Sequence, residues 1–198
     1  LDGLDIAHVK FDLGEDNTWT YQLINAKTEK YSDYLIDKLE KATILTSFQL
    51  ALLNKELGEF YAKSVNSFLE HFKVEKVQID AIASHGQTIF HQPEKGITVQ
   101  IGCGATLAAL TQIEVINDFR KNDVIHGGEG APLVPIGDFS LFANEAEAFV
   151  NIGGFTNVSF KIKDKIVAFD ICPGNLPLNK LALATGVKYD KNGQMAEK

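Results

Sequence analysis

The stretch that decides the fold covers residues 79–116 and reads IDAIASHGQTIFHQPEKGITVQIGCGATLAALTQIEVI. Three short apolar runs, Ile79–Ala83, Ile97–Ile101 and Ile113–Ile116, have the length and composition of strands, and Ala105–Leu110 has the composition of a helix. Each of the three runs is followed by polar or glycine-bearing residues. Strands that alternate with a helix in this way predict an α/β domain.

The region upstream of this stretch predicts a hairpin followed by a long helix. Apolar and polar residues alternate over Leu4–Leu13, Gly14–Asn17 break the pattern, and Thr18–Asn25 reads as a second strand that pairs with the first. Large apolar residues then recur at helical spacing up to about residue 73. They are Leu50, Leu53, Leu57, Phe60, Tyr61, Phe68 and Phe72, and their stripe indicates core packing rather than a ligand groove.

The region downstream predicts three closely spaced strands and a helix. Ala148–Asn151, Asn157–Lys161 and Ile166–Phe169 are the strands, and Asn175–Ala184 is the helix. No low-complexity linker interrupts the chain, which indicates a continuous globular body.

Composition excludes several classes of function. The 198 residues are 45% hydrophobic with a formal net charge of -7, so the overall field repels nucleic acid and anionic membranes. No apolar run approaches the roughly 18 residues of a membrane span, and no basic, apolar leader is present, so we expect a cytoplasmic protein. Cys103 and Cys172 have no partner at ligand spacing, which indicates free thiols rather than a zinc site or a disulfide framework.

The run Asn117–Pro135 is the first candidate for a binding segment. It follows the apolar run that ends at Ile116 and contains Asp118, Arg120, Asp123 and three glycines. Ligands collect at strand ends in sheets flanked by helices, and glycines let backbone amides approach a substrate closely. An ordinary solvated loop has a similar composition, so both interpretations remain open.

Three further segments each have two interpretations. Ser84–Thr88 supplies hydroxyl, imidazole and amide groups that suit recognition of a polyol, or it is a structural turn. The pair Gly153–Gly154 joins two predicted strands and presents its amides to a phosphate, or it is a plain tight turn. Asp170 ends a predicted strand and acts as a general base or caps the next helix. Neither a Walker loop nor a full dinucleotide fingerprint is present.

Taken together, several segments resemble those of anhydro-N-acetylmuramic acid kinases, which belong to the actin, hsp70 and sugar-kinase superfamily. The resemblance extends over essentially the whole chain and includes 1–5, 84–93, 98–102, 118–135, 151–157, Asp170 and 173–175. It implies an α/β fold with a ribonuclease-H-like (actin-like ATPase) mixed sheet and flanking helices. Residues 1–198 would form the N-terminal lobe, truncated at both ends, with the C-terminal lobe absent.

The resemblance also implies a reaction and its site residues. The enzyme would use ATP with Mg²⁺ to open the 1,6-anhydro ring of anhydro-N-acetylmuramic acid with water and phosphorylate O6, giving N-acetylmuramic acid 6-phosphate in cell-wall recycling. Asp170 would be the catalytic base, and no residue would be a dedicated metal ligand. The sugar site would comprise His85, Gly86, Gln87, Thr88, Arg120 and Asp123, and the nucleotide site Asp2, Gly3, Gly153, Gly154 and Asn157. The partners would be the amino sugar and ATP, and the resemblance suggests a homodimer.

The sequence departs from the family pattern in ways that leave an alternative open. The first phosphate loop should precede Leu1, and Ile171, Cys172 and Asn179 replace the usual residues around the base. A bulkier Cys172 would narrow the phosphate pocket. We therefore expect this chain to be nearly inactive alone, and a non-catalytic sugar-binding or regulatory protein, or a different sugar kinase, remains an alternative.

Overall fold

The computed structural model describes residues 3–163 and 165–197 as two compact units. The first unit comprises the chain as far as Leu13 together with Thr20–Ala131. The second comprises Gly14–Trp19 and the chain from Pro132 onward. Helices and strands occur in both units, so the predicted α/β class is confirmed. No described helix is long and apolar enough to cross a membrane.

The part of the chain up to Ala131 contains ten of the helices and strands. In chain order they are β1 (Gly3–Leu13), β2 (Trp19–Lys30), α1 (Asp33–Glu40), α2 (Ser47–Phe72), β3 (Ile82–Ser84), β4 (Gln87–Gln92), β5 (Ile97–Ile101), α3 (Gly104–Thr111), β6 (Val115–Asn117) and α4 (Phe119–Ile125). The described strands form three two-stranded sheets, β1-β2, β3-β6 and β4-β5. The β3-β6 pair is parallel, with Ser84 opposite Asn117, and the β4-β5 pair is antiparallel.

Helix α2 forms the centre of the hydrophobic core, as its apolar stripe predicts. Thr46 begins the helix with a capping box to Gln49, and Lys73 ends it in a left-handed conformation. Its buried side chains include Leu53, Leu57 and Phe68, and they pack with other buried residues of the first unit. Those residues are Tyr31, Leu35, Leu39, Ala42, Tyr61, Ala62, Val65, Leu69, Ile101, Leu107 and Ile113.

Several local predictions need correction. Strand β3 begins at Ile82 rather than Ile79 because residues 76–78 form a 3₁₀ turn. The segment 117–135 is not a continuous loop, since it contains all of α4 and the start of α5 (Val134–Leu141). Helices of seven and eight residues are marginal by themselves, so tertiary contacts rather than a strong local pattern stabilise them.

The second unit consists of α5, a three-stranded antiparallel sheet and a last helix. The strands are β7 (Ala148–Ile152), β8 (Phe155–Ile162) and β9 (Lys165–Pro173), in the order β7-β8-β9, and the helix is α6 (Asn175–Ala184). The three predicted strands and the predicted helix are therefore confirmed. Strand β9 continues past Phe169 to Pro173, so the prediction that Asp170 ends the strand is wrong and this residue lies within it. Helix α5 packs on the sheet through Phe139, whose ring centroid lies 5.1 Å from that of Phe149.

Candidate active site

A polar cavity of about 370 Å³ lies in the first unit where the parallel strands β3 and β6 end. Their last residues, Ser84 and Asn117, are paired and both line it. Further polar lining comes from Asn54, His85, Gln100, Cys103 and Asp118. The carboxyl ends of parallel strands are the usual location of ligands in α/β proteins, so this cavity is a candidate ligand site.

Asn54 of helix α2 holds one wall of the cavity in place. Its Oδ1 accepts a hydrogen bond of 2.8 Å from the Gly102 amide, and its backbone carbonyl accepts one of 3.0 Å from the Cys103 amide. One turn further along the helix, a Cβ on Gly58 would lie 2.8 Å from the Cys103 carbonyl oxygen. Asn54 and Gly58 therefore let the loop between β5 and α3 pack directly on α2.

Cys103 lies at the start of α3, and the pKa of its thiol is lowered. A hydrogen bond with the Thr106 side chain, followed by one with the Thr106 backbone, lowers the pKa of the thiol. The N-terminus of a helix favours a thiolate for the same electrostatic reason. The cavity therefore includes a sulfur atom that is more readily ionised than an ordinary cysteine.

A chain of hydrogen bonds joins His85 to Asp123 in the same unit. The Arg120 Nε–H donates to His85 Nε2 at 2.9 Å, and Arg120 Nη1 donates to the Gly130 carbonyl at 2.8 Å. The Gly130 amide in turn donates to Asp123 Oδ2 at 2.6 Å. Burial lowers the pKa of the Arg120 guanidinium, which nonetheless remains charged at physiological pH. The structure thus brings together three of the predicted sugar-site residues.

The remaining predicted residues of the first unit lie elsewhere in it. Gln87 and Thr88 belong to β4, and the Thr88 hydroxyl accepts a hydrogen bond from Gln100. Gln87 lines a groove of about 1440 Å³ that adjoins the cavity and shares Ser84 and His85 with it. Gly86 lines both the cavity and the groove, and Gly3 opens β1 at the groove. Asp2, predicted as a nucleotide contact, lies outside the described residues.

A row of polar residues crosses the sheet of the second unit at Asp170. Asn151 of β7, Asn157 of β8 and Asp170 of β9 are consecutive cross-strand partners and therefore share one face. The register shifts next to Asp170, where Ile171 is an extra residue and Cys172 pairs with Thr156. This bulge places Cys172 in the row of the face opposite that of Asp170. The expected narrowing of the phosphate pocket by Cys172 stays a prediction.

The predicted glycine turn contacts the start of α6. The amides of Gly174 and Asn175 donate to the carbonyls of Gly154 and Gly153, each at 2.8 Å. The first amides of the helix are therefore already hydrogen-bonded to the turn. A Cβ on Gly153 would meet only the Phe155 carbonyl, at 3.6 Å, so there is space beside this residue. The Gly153 amide itself donates to the Phe155 carbonyl at 3.0 Å.

Sequence reasoning missed Asn54 and did not assign Gln100. Asn54 interrupts an apolar helix four residues before Gly58, and this pairing of a small polar residue with a glycine is a local signal of close packing. Gln100 is one of the polar residues of strand β5, and its Oε1 is a buried acceptor without a partner among the described residues. Only the three-dimensional structure reveals that this acceptor has no hydrogen-bond partner among the described residues.

The fold and site define an α/β protein with a polar ligand cavity at the ends of parallel strands. A model of the anhydro-N-acetylmuramic acid kinase family matches residues 1–198. The anhydro-N-acetylmuramic acid kinase of Legionella pneumophila (strain Paris) is 38% identical over 205 residues, which cover 99% of this chain and 54% of that protein. The kinases of Rhizobium johnstonii and Shewanella pealeana are 36% and 37% identical, and 56% and 55% of their lengths are covered. The chain belongs to the anhydro-N-acetylmuramic acid kinase family.

The chain spans about half the length of the curated relatives it matches, with 54–56% of the three named kinases covered. Family membership therefore rests on one half of those proteins. The matched half contains both the polar cavity and the row at Asp170.

Proposed function

We propose that this chain supplies the sugar-binding part and the general base of an ATP-dependent anhydro-N-acetylmuramic acid kinase. The observation that carries the proposal is the match of all 198 residues to that family. In the proposed reaction, water attacks the anomeric carbon, the bond from that carbon to O6 breaks, and O6 takes the γ-phosphoryl group of ATP. The products are N-acetylmuramic acid 6-phosphate and ADP.

The polar cavity supports the sugar-binding role. We assign His85, Gly86, Gln87, Thr88, Arg120 and Asp123 to the sugar site. Arg120 uses two of its five N–H donors within the protein, so others remain for a carboxylate such as that of the muramic acid lactyl group. The unpartnered Gln100 Oε1 would accept from a hydroxyl or from the N-acetyl amide, since a buried acceptor is costly without a donor.

Asp170 is our candidate for the base that activates water. Its side chain is exposed at the end of a polar row, so both water and a sugar can reach the carboxylate. A positioned carboxylate that removes a proton from water accelerates its attack on carbon. Asn151 and Asn157 lie on the same face and supply amide groups that hold a water molecule or a substrate oxygen.

We place Gly153, Gly154 and Asn157, with Asp2 and Gly3, near the ATP phosphates. The free space beside Gly153, where an added Cβ would meet only the Phe155 carbonyl at 3.6 Å, supports this assignment. Magnesium would arrive with ATP and neutralise phosphoryl charge, held mainly by phosphate oxygens and water. Such a cation needs no protein cage.

The ribonuclease-H-like arrangement is our proposal for the sheet of the first unit. Strands β1 and β3 both line the 1440 Å³ groove, and each has one edge that is unpaired among the described residues. Pairing β1 with β3 would fill the groove and join the β1-β2 and β3-β6 sheets into one sheet of order β2-β1-β3-β6.

Two measurements test the function. Calorimetry with 1,6-anhydro-N-acetylmuramic acid should show binding to the 198-residue chain, and a coupled ATP assay should show little turnover by it. A protein of the relatives' full length that includes this chain should turn over, and Asp170→Asn should abolish that turnover while preserving sugar binding. Glu145→Gln, at an exposed carboxylate of the same unit, is the control and should leave turnover unchanged.

The outcomes separate this proposal from its alternatives. Turnover retained in Asp170→Asn would refute the base assignment, and rapid turnover by the 198-residue chain would refute the half-enzyme proposal. Sugar binding without ATP binding in the longer protein would favour the non-catalytic alternative.

A further inference from the structure

His85 is held by hydrogen bonds at both of its ring nitrogens. Nδ1 lies 2.9 Å from the Gly86 carbonyl oxygen, which can only accept, and Nε2 lies 2.9 Å from Arg120 Nε, which can only donate. The ring must therefore carry its proton on Nδ1 and present a lone pair on Nε2. Such a fixed tautomer determines which groups the imidazole can recognise.

Arg120 is held in turn by the glycine loop that follows α4. Its Nη1 donates to the carbonyl of Gly130, a buried residue with a φ of 66°. A Cβ on Gly130 would lie 2.6 Å from Val124 Cγ2, so the loop packs tightly at this point. The position of the Gly130 carbonyl therefore fixes the position of the guanidinium.

Asp123 holds this loop at two points. Its backbone carbonyl accepts from the Gly128 amide at 2.9 Å, and its carboxylate accepts from the Gly130 amide at 2.6 Å. A Cβ on Gly128 would overlap the Asp123 carboxylate, so the loop lies directly on that side chain. One carboxylate oxygen is therefore engaged within the protein and is not free for a ligand.

We propose that Asp123 is a positioning residue, which fixes the tautomer and orientation of His85 through Gly130 and Arg120. Within the sugar site, Asp123 thus acts on the ligand indirectly, while His85 lines the cavity. The proposal rests on the proposed function only in treating His85 as a sugar contact. The hydrogen-bond chain itself is independent of the substrate.

Nitrogen-15 NMR of the imidazole rings in the 198-residue chain tests this proposal, with the His85 signals assigned from His85→Gln. Asp123→Ala removes the acceptor, whereas the amide oxygen of Asp123→Asn can still accept from Gly130. In the wild type and in Asp123→Asn we expect the Nδ1–H pattern, in which the two His85 nitrogen signals are those of a ring protonated only on Nδ1. In Asp123→Ala we expect this pattern to be lost, because the proton exchanges between the two ring nitrogens. Glu129→Gln is the matched control, because this exposed carboxylate lies in the same loop; it should leave the pattern unchanged.

Retention of the Nδ1–H pattern in Asp123→Ala would overturn the proposal. If Asp123→Ala fails to fold by circular dichroism, Arg120→Met replaces it, since this variant keeps the Asp123–Gly130 bond and removes the donor to His85. A fixed Nδ1–H pattern in Arg120→Met would equally overturn the proposal.

Calorimetry with 1,6-anhydro-N-acetylmuramic acid separates this inference from the proposed function. We expect Asp123→Ala to weaken binding by about tenfold and Asp123→Asn to restore it, as is typical of residues that orient a ligand contact. If no variant binds the sugar but His85 responds as expected, the proposed function fails and the positioning role stands.

Discussion

Gly102 illustrates how a single residue shapes the cavity wall. Its φ is 115°, and a Cβ there would lie 2.6 Å from Cε2 of Tyr61. Burial, together with the nearby Tyr31, raises the pKa of Tyr61, so this phenol stays neutral at physiological pH. Glycine is therefore required at this position for two reasons, the positive φ and the close approach of the backbone to the buried Tyr61 ring.

Gly102→Ala should destabilise the protein by about 2–4 kcal/mol, because strain at positive φ adds to overpacking against Tyr61. Gly96→Ala is the control, since Gly96 has a φ of 68° but nothing within 4 Å of an added Cβ. The control should cost only about 1–2 kcal/mol. Urea denaturation of both variants measures the difference, and equal losses would show that the contact with Tyr61 is unimportant.

At the scale of elements, helix α2 both builds the core and supports the site. Its 26 residues bury Leu57 completely, while Leu52 on the same helix is 43% exposed. Asn54 and Gly58 on the same helix hold the loop that carries Cys103. The stability of the helix and the shape of the cavity are therefore linked.

Leu57→Ala should lower the free energy of unfolding by about 2–5 kcal/mol, because it opens a cavity in a packed core. Leu52→Ala, at an exposed position of the same helix, should change it by no more than about 0.5 kcal/mol. Thermal and urea unfolding provide the comparison. Similar effects of the two substitutions would mean that the stripe is not core and would contradict the sequence prediction as well.

At the scale of the molecule, the two units differ in how much apolar surface they bury. All residues of the main hydrophobic cluster belong to the first unit. In the second unit, Leu178 and Leu181 of α6 and Ile152 of β7 are more than half exposed. Segments with few buried apolar contacts open more easily in the native state.

Hydrogen exchange of the 198-residue chain should therefore be slowest in α2 and β5 and much faster in α6. The reason is that opening α6 exposes little buried apolar surface, whereas opening α2 disrupts the core. Exchange measured by mass spectrometry on peptides from the two helices makes the comparison. Protection of α6 equal to that of α2 would contradict this expectation.

The accuracy of the sequence predictions follows the range of the interactions involved. The bounds of β5 and α6 match their predictions, and α2 follows its apolar stripe, because alternation and helical spacing are local patterns. Helices α4 and α5 were not predicted, because they bury only Val124 and Pro135, respectively, and so show no apolar stripe. Helix α1 was also missed, although its buried Leu35 and Leu39 stand at helical spacing.

The residues of the candidate site likewise separate into those with a local sequence signal and those placed by long-range contacts. The residue types at Ser84–Thr88 and in the segment from Asn117 indicated polar chemistry at strand ends, because strand ends and glycines are readable from neighbouring residues. Asp170 was also expected at a strand end, but it lies within β9. The bond from Arg120 to His85, 35 residues away, and the support of Gly102 by Asn54, 48 residues away, depend on tertiary packing. Contacts at such separations leave no periodic pattern in the sequence. Only the tertiary structure therefore decided that hydrogen bonds link Asp123 to His85 and that the bulge in β9 places Cys172 and Asp170 on opposite faces.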